Sequence, residues 1–283
     1  MKWIASAAFG LEGQTMRDLK RLGAANAQTM NVGGATFEGD FSLAFAANLW
    51  LRTADRVLLV AAEFEARSFK ELFNAVKAIE WERYIPVDGR FPVRARCVRS
   101  QLMSESDTQS IVKKAVVERL KKGHRVLMLP ETGALYKIRF SIRKNQVEIM
   151  LDTSGDGLHK RGYRRNATGA PIKETLAAAI ADLGRVRRDS QVADPFCGSG
   201  TLVIEAAQKA MNIAPGLRRR FAAEHYSFCP PAVWAAQREK ALAEVKKDAA
   251  FEGVGYDIDP QAVELAAQNA RLAGVGDRCR FEA

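Results

Sequence analysis

The stretch Asp194-Pro195-Phe196-Cys197-Gly198-Ser199-Gly200-Thr201 constrains this chain more than any other. It follows a short apolar run, Val192-Ala193, and leads into Leu202-Val203-Ile204-Glu205-Ala206-Ala207, whose apolar spacing is helical. The order is strand, glycine turn, helix start. Two close glycines let a ligand come against bare backbone, and the first-turn N–H groups of the helix aim partial positive charge at it. Asp194, at the strand tip, can accept from a cationic or hydroxyl-bearing ligand. A turn of this kind suits a nucleotide-like cofactor; the bland alternative is an ordinary βα turn with a helix cap.

The nicotinamide fingerprint asks for a third glycine where this chain has Val203, and here an acid precedes the glycines. That combination favours S-adenosylmethionine, which brings a carboxylate, an ammonium and a ribose but no pyrophosphate. A second strand, Val254-Gly255-Tyr256, ends in Asp257, followed by Ile258-Asp259-Pro260. A carboxylate at that tip suits the ribose hydroxyls. The expected cofactor residues are therefore Asp194, Phe196, Cys197, Gly198, Gly200, Thr201, Asp257 and Ile258, with Asp194 and the Gly198 and Gly200 amides at the methionine end. Cys197 reads as a small space-filling residue beside the cofactor rather than a nucleophile.

Upstream, the periodicity gives a strand at 3–9, a helix at 11–22, strands near 26–32 and 35–39 meeting at Gly33-Gly34, a helix from Phe41 to Leu51 and a strand at 57–60. This βαββαβ order is that of a ferredoxin-like unit. From Ser68 the pattern changes: helices at 68–79 and 108–122 flank a strand at 91–98, and strands follow near 135–143 and 146–151. Cations recur on these elements: Arg94, Arg96 and Arg99 on and after the first strand; Lys113, Lys114, Arg119, Lys121 and Lys122 on one helix; Arg139, Arg143 and Lys144 on the later hairpin. They read either as an RNA-facing surface or as ordinary solvated faces. The densest cluster is Lys160-Arg161-Gly162-Tyr163-Arg164-Arg165. Its cations suit phosphates and Tyr163 suits an unpaired base; a surface linker with Tyr163 folded inward is the alternative. Pro171 fits the first turn of a helix running to Leu183. Residues from about 209 to 250, with the run Arg218-Arg219-Arg220, look like an insertion between the glycine-turn helix and the second strand.

Several separated motifs carry a resemblance: D-P-F-C-G-S-G-T-L-x-I-E-A-A, Ala214-Pro215-Gly216-Leu217, G-Y-D-I-D-P, residues 157–164 and Ala170-Pro171-Ile172-Lys173-Glu174-Thr175-Leu176. Over essentially its whole length the chain resembles class I S-adenosylmethionine-dependent RNA methyltransferases that carry a THUMP domain. It is most similar to bacterial enzymes that methylate guanine N2 in large-subunit ribosomal RNA. The resemblance implies a mixed α/β and α+β fold: a ferredoxin-like unit at 1–65, a THUMP RNA-binding domain at 66–154, and the N-terminal half of a Rossmann-like methyltransferase domain at 155–283. It also implies a structured RNA partner and no metal. The family's amine-positioning D/N-P-P-Y tetrapeptide is expected beyond Ala283, so the polypeptide reads as truncated. Cys229-Pro230-Pro231-Ala232 lacks the polar first residue and the aromatic. A transfer RNA target, adenine N6, or a non-catalytic RNA-binding module stay open as alternatives.

Composition fits this reading. A net charge of +10 over 283 residues suits a polyanionic partner, although charge balance alone does not require one. Four scattered cysteines without a C-x-x-C pair argue against zinc and a disulfide framework and point to a reducing cytoplasm. Lys2 followed by Trp3-Ile4-Ala5-Ser6-Ala7-Ala8-Phe9 is too short for a secretion signal and reads as a buried first strand.

Overall fold

The computed structural model describes residues 1–164 and 171–283. In chain order its elements begin β1 (Lys2–Ala7), α1 (Glu12–Arg21), β2 (Gln28–Thr29), β3 (Ala35–Glu38), α2 (Phe41–Trp50) and β4 (Ala54–Glu65). Next come α3 (Phe69–Ala78), β5 (Val93–Val98), α4 (Glu105–His124), β6 (Ile138–Arg143), β7 (Gln146–Asp152) and α5 (Glu174–Leu183). The chain continues through β8 (Gln191–Asp194), α6 (Thr201–Ala210), α7 (Pro231–Ala243), β9 (Glu252–Tyr256), α8 (Pro260–Ala273) and β10 (Cys279–Glu282). Backbone packing divides these into two compact units. Met1–Ile4, Val57–Gly155 and Phe221–Pro231 form the first; Ala5–Arg56, Asp156–Arg220 and Ala232–Ala283 form the second. Among the described residues no helix is long and apolar enough to cross a membrane.

In the first unit β4, β7, β6 and β5 adjoin in that order. β7 runs antiparallel to both β4 and β6, while β5 runs parallel to β6. Lys144 and Asn145 connect β6 to β7 with φ of 49° and 65°. Two left-handed residues between paired strands make the tight hairpin turn whose twist matches the sheet. Alternate residues Ile138, Phe140 and Ile142 of β6 and Val147, Ile149 and Leu151 of β7 are buried, as period-2 burial of one face requires. The stretch 221–231, read from sequence as part of an insertion, is built into this unit. Tyr226 stacks on Tyr136 (4.5 Å between centroids) and donates from its hydroxyl to Asp152 O at 2.7 Å, and Ala223 N–H donates to Thr153 O at 3.1 Å.

The second unit holds the rest of the ferredoxin-like elements. Gly34 sits at φ +110°, where an added Cβ would lie 2.1 Å from Ala5 O, so only glycine permits this approach to β1. In α2 six consecutive residues, Ala44 to Leu49, are buried, which explains why its sequence is apolar all round. Phe45 stacks on Trp234 of α7 at 3.9 Å. Asp40 caps α2 by accepting the Leu43 N–H at 2.9 Å. Asp40→Ala is expected to cost about 1 kcal/mol in urea unfolding.

The same unit contains a parallel sheet ordered β10-β9-β8. Ile204, Ala206, Ala207 and Ala210 of α6 and Ala270 and Ala273 of α8 form its core with Phe251 and Val275. Val203 occupies the place of a third fingerprint glycine, and the space is supplied from the other side. A Cβ on Gly253 of β9 would lie 2.6 Å from Val203 Cγ1. Close helix–strand packing is thus kept with the glycine moved to the strand.

Candidate cofactor site and cationic surface

The candidate site lies at the carboxyl ends of β8 and β9, where open α/β sheets bind their ligands. Asp194 pairs in register with Gly255, so two adjacent strand tips present Asp194 and Asp257. The turn between β8 and α6 is held from both sides. Asp194 Oδ1 accepts the Phe196 N–H at 3.1 Å, and the Cys197 N–H donates to Tyr256 O at 2.8 Å. Asp257 accepts the Gly198 N–H through Oδ2 at 2.9 Å and the Asp259 N–H through Oδ1 at 3.0 Å. One carboxylate therefore ties the glycine turn to the loop after β9. A carboxylate offers about four lone-pair positions, so about two on Asp257 are left for another donor.

The two glycines do a different task from the one expected of their amides. Gly198 N–H is taken by Asp257, and Gly200 N–H donates to Cys197 O at 2.8 Å, because so tight a turn closes on itself. What they supply is shape. Both have positive φ, +50° and +77°. A Cβ at Gly200 would meet Ala266 and Phe281 at 2.9 Å, whereas one at Gly198 would meet nothing within 4 Å. Gly198 thus opens bare backbone to the outside. Cys197 is buried, and burial together with repulsion from Asp194 and Asp257 pushes its thiol up to about 11, which keeps it protonated. The Thr201 side chain is turned inward: it is buried, and its Oγ1 accepts from Arg164 Nη2 at 3.1 Å. Phe196 and Ile258 stand out of the two loops, 88% and 97% exposed.

The cations expected to meet RNA divide sharply. In the first unit Arg94 and Arg96, two residues apart on β5, are exposed on one face of the strand. Arg99, Lys114, Lys121, Lys122, Arg143 and Lys144 are exposed as well. Lys113 and Arg139, each about a third exposed, already hold carboxylates. Lys113 pairs with Glu131 at 2.9 Å over the Phe91 ring, and Arg139 pairs at 2.8 Å with the fully buried Asp152. In the second unit Lys160 is exposed, but its neighbours are internal. Tyr163 is 1% exposed and donates to Glu205 Oε1 at 3.1 Å, so it does not offer its ring to a base. Arg161 is 2% exposed and reaches the same oxygen at 3.4 Å, while Arg164 pairs with Glu174 at 3.1 Å. For the buried members the reason is the same: a charge leaving water needs a partner, as Asp152 has in Arg139, Glu174 in Arg164 and Glu205 in Arg161, whereas Lys113–Glu131 is a partly exposed pair. Arg165 lies outside the described residues.

Comparison with known proteins decides the family. The model of the RlmL ferredoxin-like domain matches residues 2–58, that of the THUMP domain 66–152, and that of the RMKL-like methyltransferase domain 161–283. A putative RNA methyltransferase, YpsC, of Bacillus subtilis is 45% identical over 99% of this chain and 72% of its own length. The chain belongs to the THUMP-domain RNA methyltransferases. A second relative, the ribosomal RNA large subunit methyltransferase K/L of Syntrophotalea carbinolica, is 36% identical over all of this chain, which spans 40% of that longer protein. Among solved structures, the putative methyltransferase SMU.472, complexed with SAH, is 41% identical with a TM-score of 0.92, over 99% of this chain and 74% of its own.

Features of this methyltransferase that the sequence does not advertise are the polar ties made by its partly buried cations. Arg52 donates from Nη2 to Ile213 O at 2.8 Å and to Gln208 O at 3.3 Å, and Lys209 pairs with Asp182 at 2.8 Å. For Glu205, between Ile204 and Ala206, the sequence signal is a charge inside an otherwise apolar helical run.

Proposed function

We propose that this protein transfers a methyl group from S-adenosylmethionine to the exocyclic N2 amine of a guanine in large-subunit ribosomal RNA. The observation that carries the reading is the pair of carboxylates at adjacent strand tips, Asp194 accepting the Phe196 N–H and Asp257 the Gly198 N–H of one glycine turn, beside backbone with open space above it. These residues fit the cofactor. Asp257 has acceptor capacity left for ribose hydroxyls, Asp194 faces a cationic end, and the exposed Phe196 and Ile258 offer apolar surface to a purine. Cys197, Gly198, Gly200 and Thr201 shape the turn between them. When bound, the cofactor supplies an electrophilic methyl group, and the protein's contribution is to hold donor and amine in line.

RNA binding rests on the exposed cations of residues 66–154, above all Arg94, Arg96, Arg99, Lys114, Arg143 and Lys144. The modules divide at 1–65, 66–154 and 155–283, and the work is done in the cytoplasm, where four free thiols stay reduced. A base edge becomes reachable only in an unpaired or extruded nucleotide. Incubation with S-adenosylmethionine and ribosomal RNA from cells lacking the enzyme, followed by nucleoside mass spectrometry, is expected to yield N2-methylguanosine. N6-methyladenosine in its place would overturn the base assigned; methylation confined to transfer RNA would overturn the RNA class.

A further inference from the structure

We propose that a cationic cleft in the second unit is a phosphate site for the RNA strand, holding it next to the cofactor loop; the identity of the strand rests on the function proposed above. The cleft, about 650 Å³, is walled by the segment from Asp156 to Arg164 and by the run Arg218-Arg219-Arg220, with Glu174 between. Its walls are clamped together. The Arg219 guanidinium donates to the carbonyl oxygens of Gly157 (2.6 Å), Asp156 (2.8 Å) and Lys160 (3.0 Å). Arg238 holds the Arg219 and Leu217 carbonyls at 2.7 and 3.1 Å. Gly162, at φ +98°, brings its backbone so near that a Cβ would lie 2.4 Å from Arg218 O. The middle arginine of the run donates to the scaffold; Arg218, whose guanidinium lies beside Gly274, and Arg220 make contacts of their own and are exposed, as is Lys160 on the facing wall.

Six lysines and arginines line this cleft against two carboxylates. Glu174 is matched by Arg164 at 3.1 Å and Asp156 by Lys160 at 3.6 Å, which leaves an excess of positive charge in a concave surface. Such a surface concentrates anions. The shared chemistry is phosphate, from an RNA backbone or from a free phosphoester. Position favours the backbone: Arg164 lines the cleft and also bonds Thr201 at the first turn of α6, so one guanidinium separates the cleft from the glycine turn. A phosphate held here would sit one side chain from the first turn of α6.

The test is RNA affinity of Arg218→Glu/Arg220→Glu, by anisotropy with a labelled RNA hairpin at salt from about 50 to 200 mM. Affinity is expected to fall about 10- to 100-fold, and the log–log salt slope to become shallower by about 1 to 2. In the unaltered protein, RNA is expected to shield Lys160 from amine acetylation read by mass spectrometry, which keeps the test valid should the double variant fail to fold. Unchanged affinity and slope, or Lys160 acetylated equally with and without RNA, would overturn the site. Displacement of the hairpin by micromolar ATP or pyrophosphate would overturn the strand in favour of a free phosphoester. S-adenosylhomocysteine binding is measured alongside: its absence in the unaltered protein would sink the cofactor reading while leaving the cleft's response to RNA to stand or fall by itself.

Discussion

Asp257→Ala is expected to weaken S-adenosylhomocysteine binding by about 1.5–3 kcal/mol, roughly a 10- to 150-fold rise in Kd by calorimetry. Two losses combine. The first is the charge-assisted acceptor for ribose hydroxyls. The second is the tie itself: without the carboxylate, the Gly198 and Asp259 N–H groups lose their acceptor, and the glycine turn is no longer joined to the loop after β9. Asp257→Asn separates them, because its amide oxygen can still accept one of the two N–H groups while the charge is gone. It should fall between the parent and the alanine variant. Equal binding by parent and Asp257→Ala would remove Asp257 from the cofactor site.

The strand tips were legible because their signals are local. A short apolar run ending in an acid, then glycines, then helical spacing, occupies about a dozen residues and needs no knowledge of the rest of the chain. The same locality misled at Tyr163. Between Arg161 and Arg164 its neighbours suggest a nucleic-acid surface, yet its partner is Glu205, 42 residues onward in α6. Lys113 and Arg139 are likewise paired with carboxylates 18 and 13 residues away, although both keep part of their surface in solvent. Cations are ambiguous in sequence because pairing is decided by tertiary contact. Two further differences are geometric. β4 was read as 57–60 but runs Ala54–Glu65, since a register shift between Val60 and Ala62 and the polar Glu63 and Glu65 hide its second half. The stretch near 209–250, read only as an insertion, contains α7, whose start at Pro231 fits proline's preference for the first helical turn.

Glu205→Ala should be the most damaging substitution for stability, lowering it by about 3–5 kcal/mol in denaturant unfolding. Glu205 is fully buried in α6, and its Oε1 serves both the Tyr163 hydroxyl and the Arg161 guanidinium. Alanine leaves the guanidinium inside the protein with its charge uncompensated. Arg161 also donates to Leu158 O at 2.8 Å and to Arg52 O, so it cannot swing out to water without abandoning two carbonyls. Glu205→Gln should cost less, because an amide oxygen can still accept from Tyr163. The pair Glu205→Leu/Arg161→Met removes both charges and should recover part of the loss, though not all of it, since the two carbonyls and the phenol remain without partners. If Glu205→Ala unfolds like the parent, the buried cluster is not what fixes the 157–164 segment against α6. If it is as destabilising as expected, the G-Y-R stretch is a core strut fixed to α6 through Glu205.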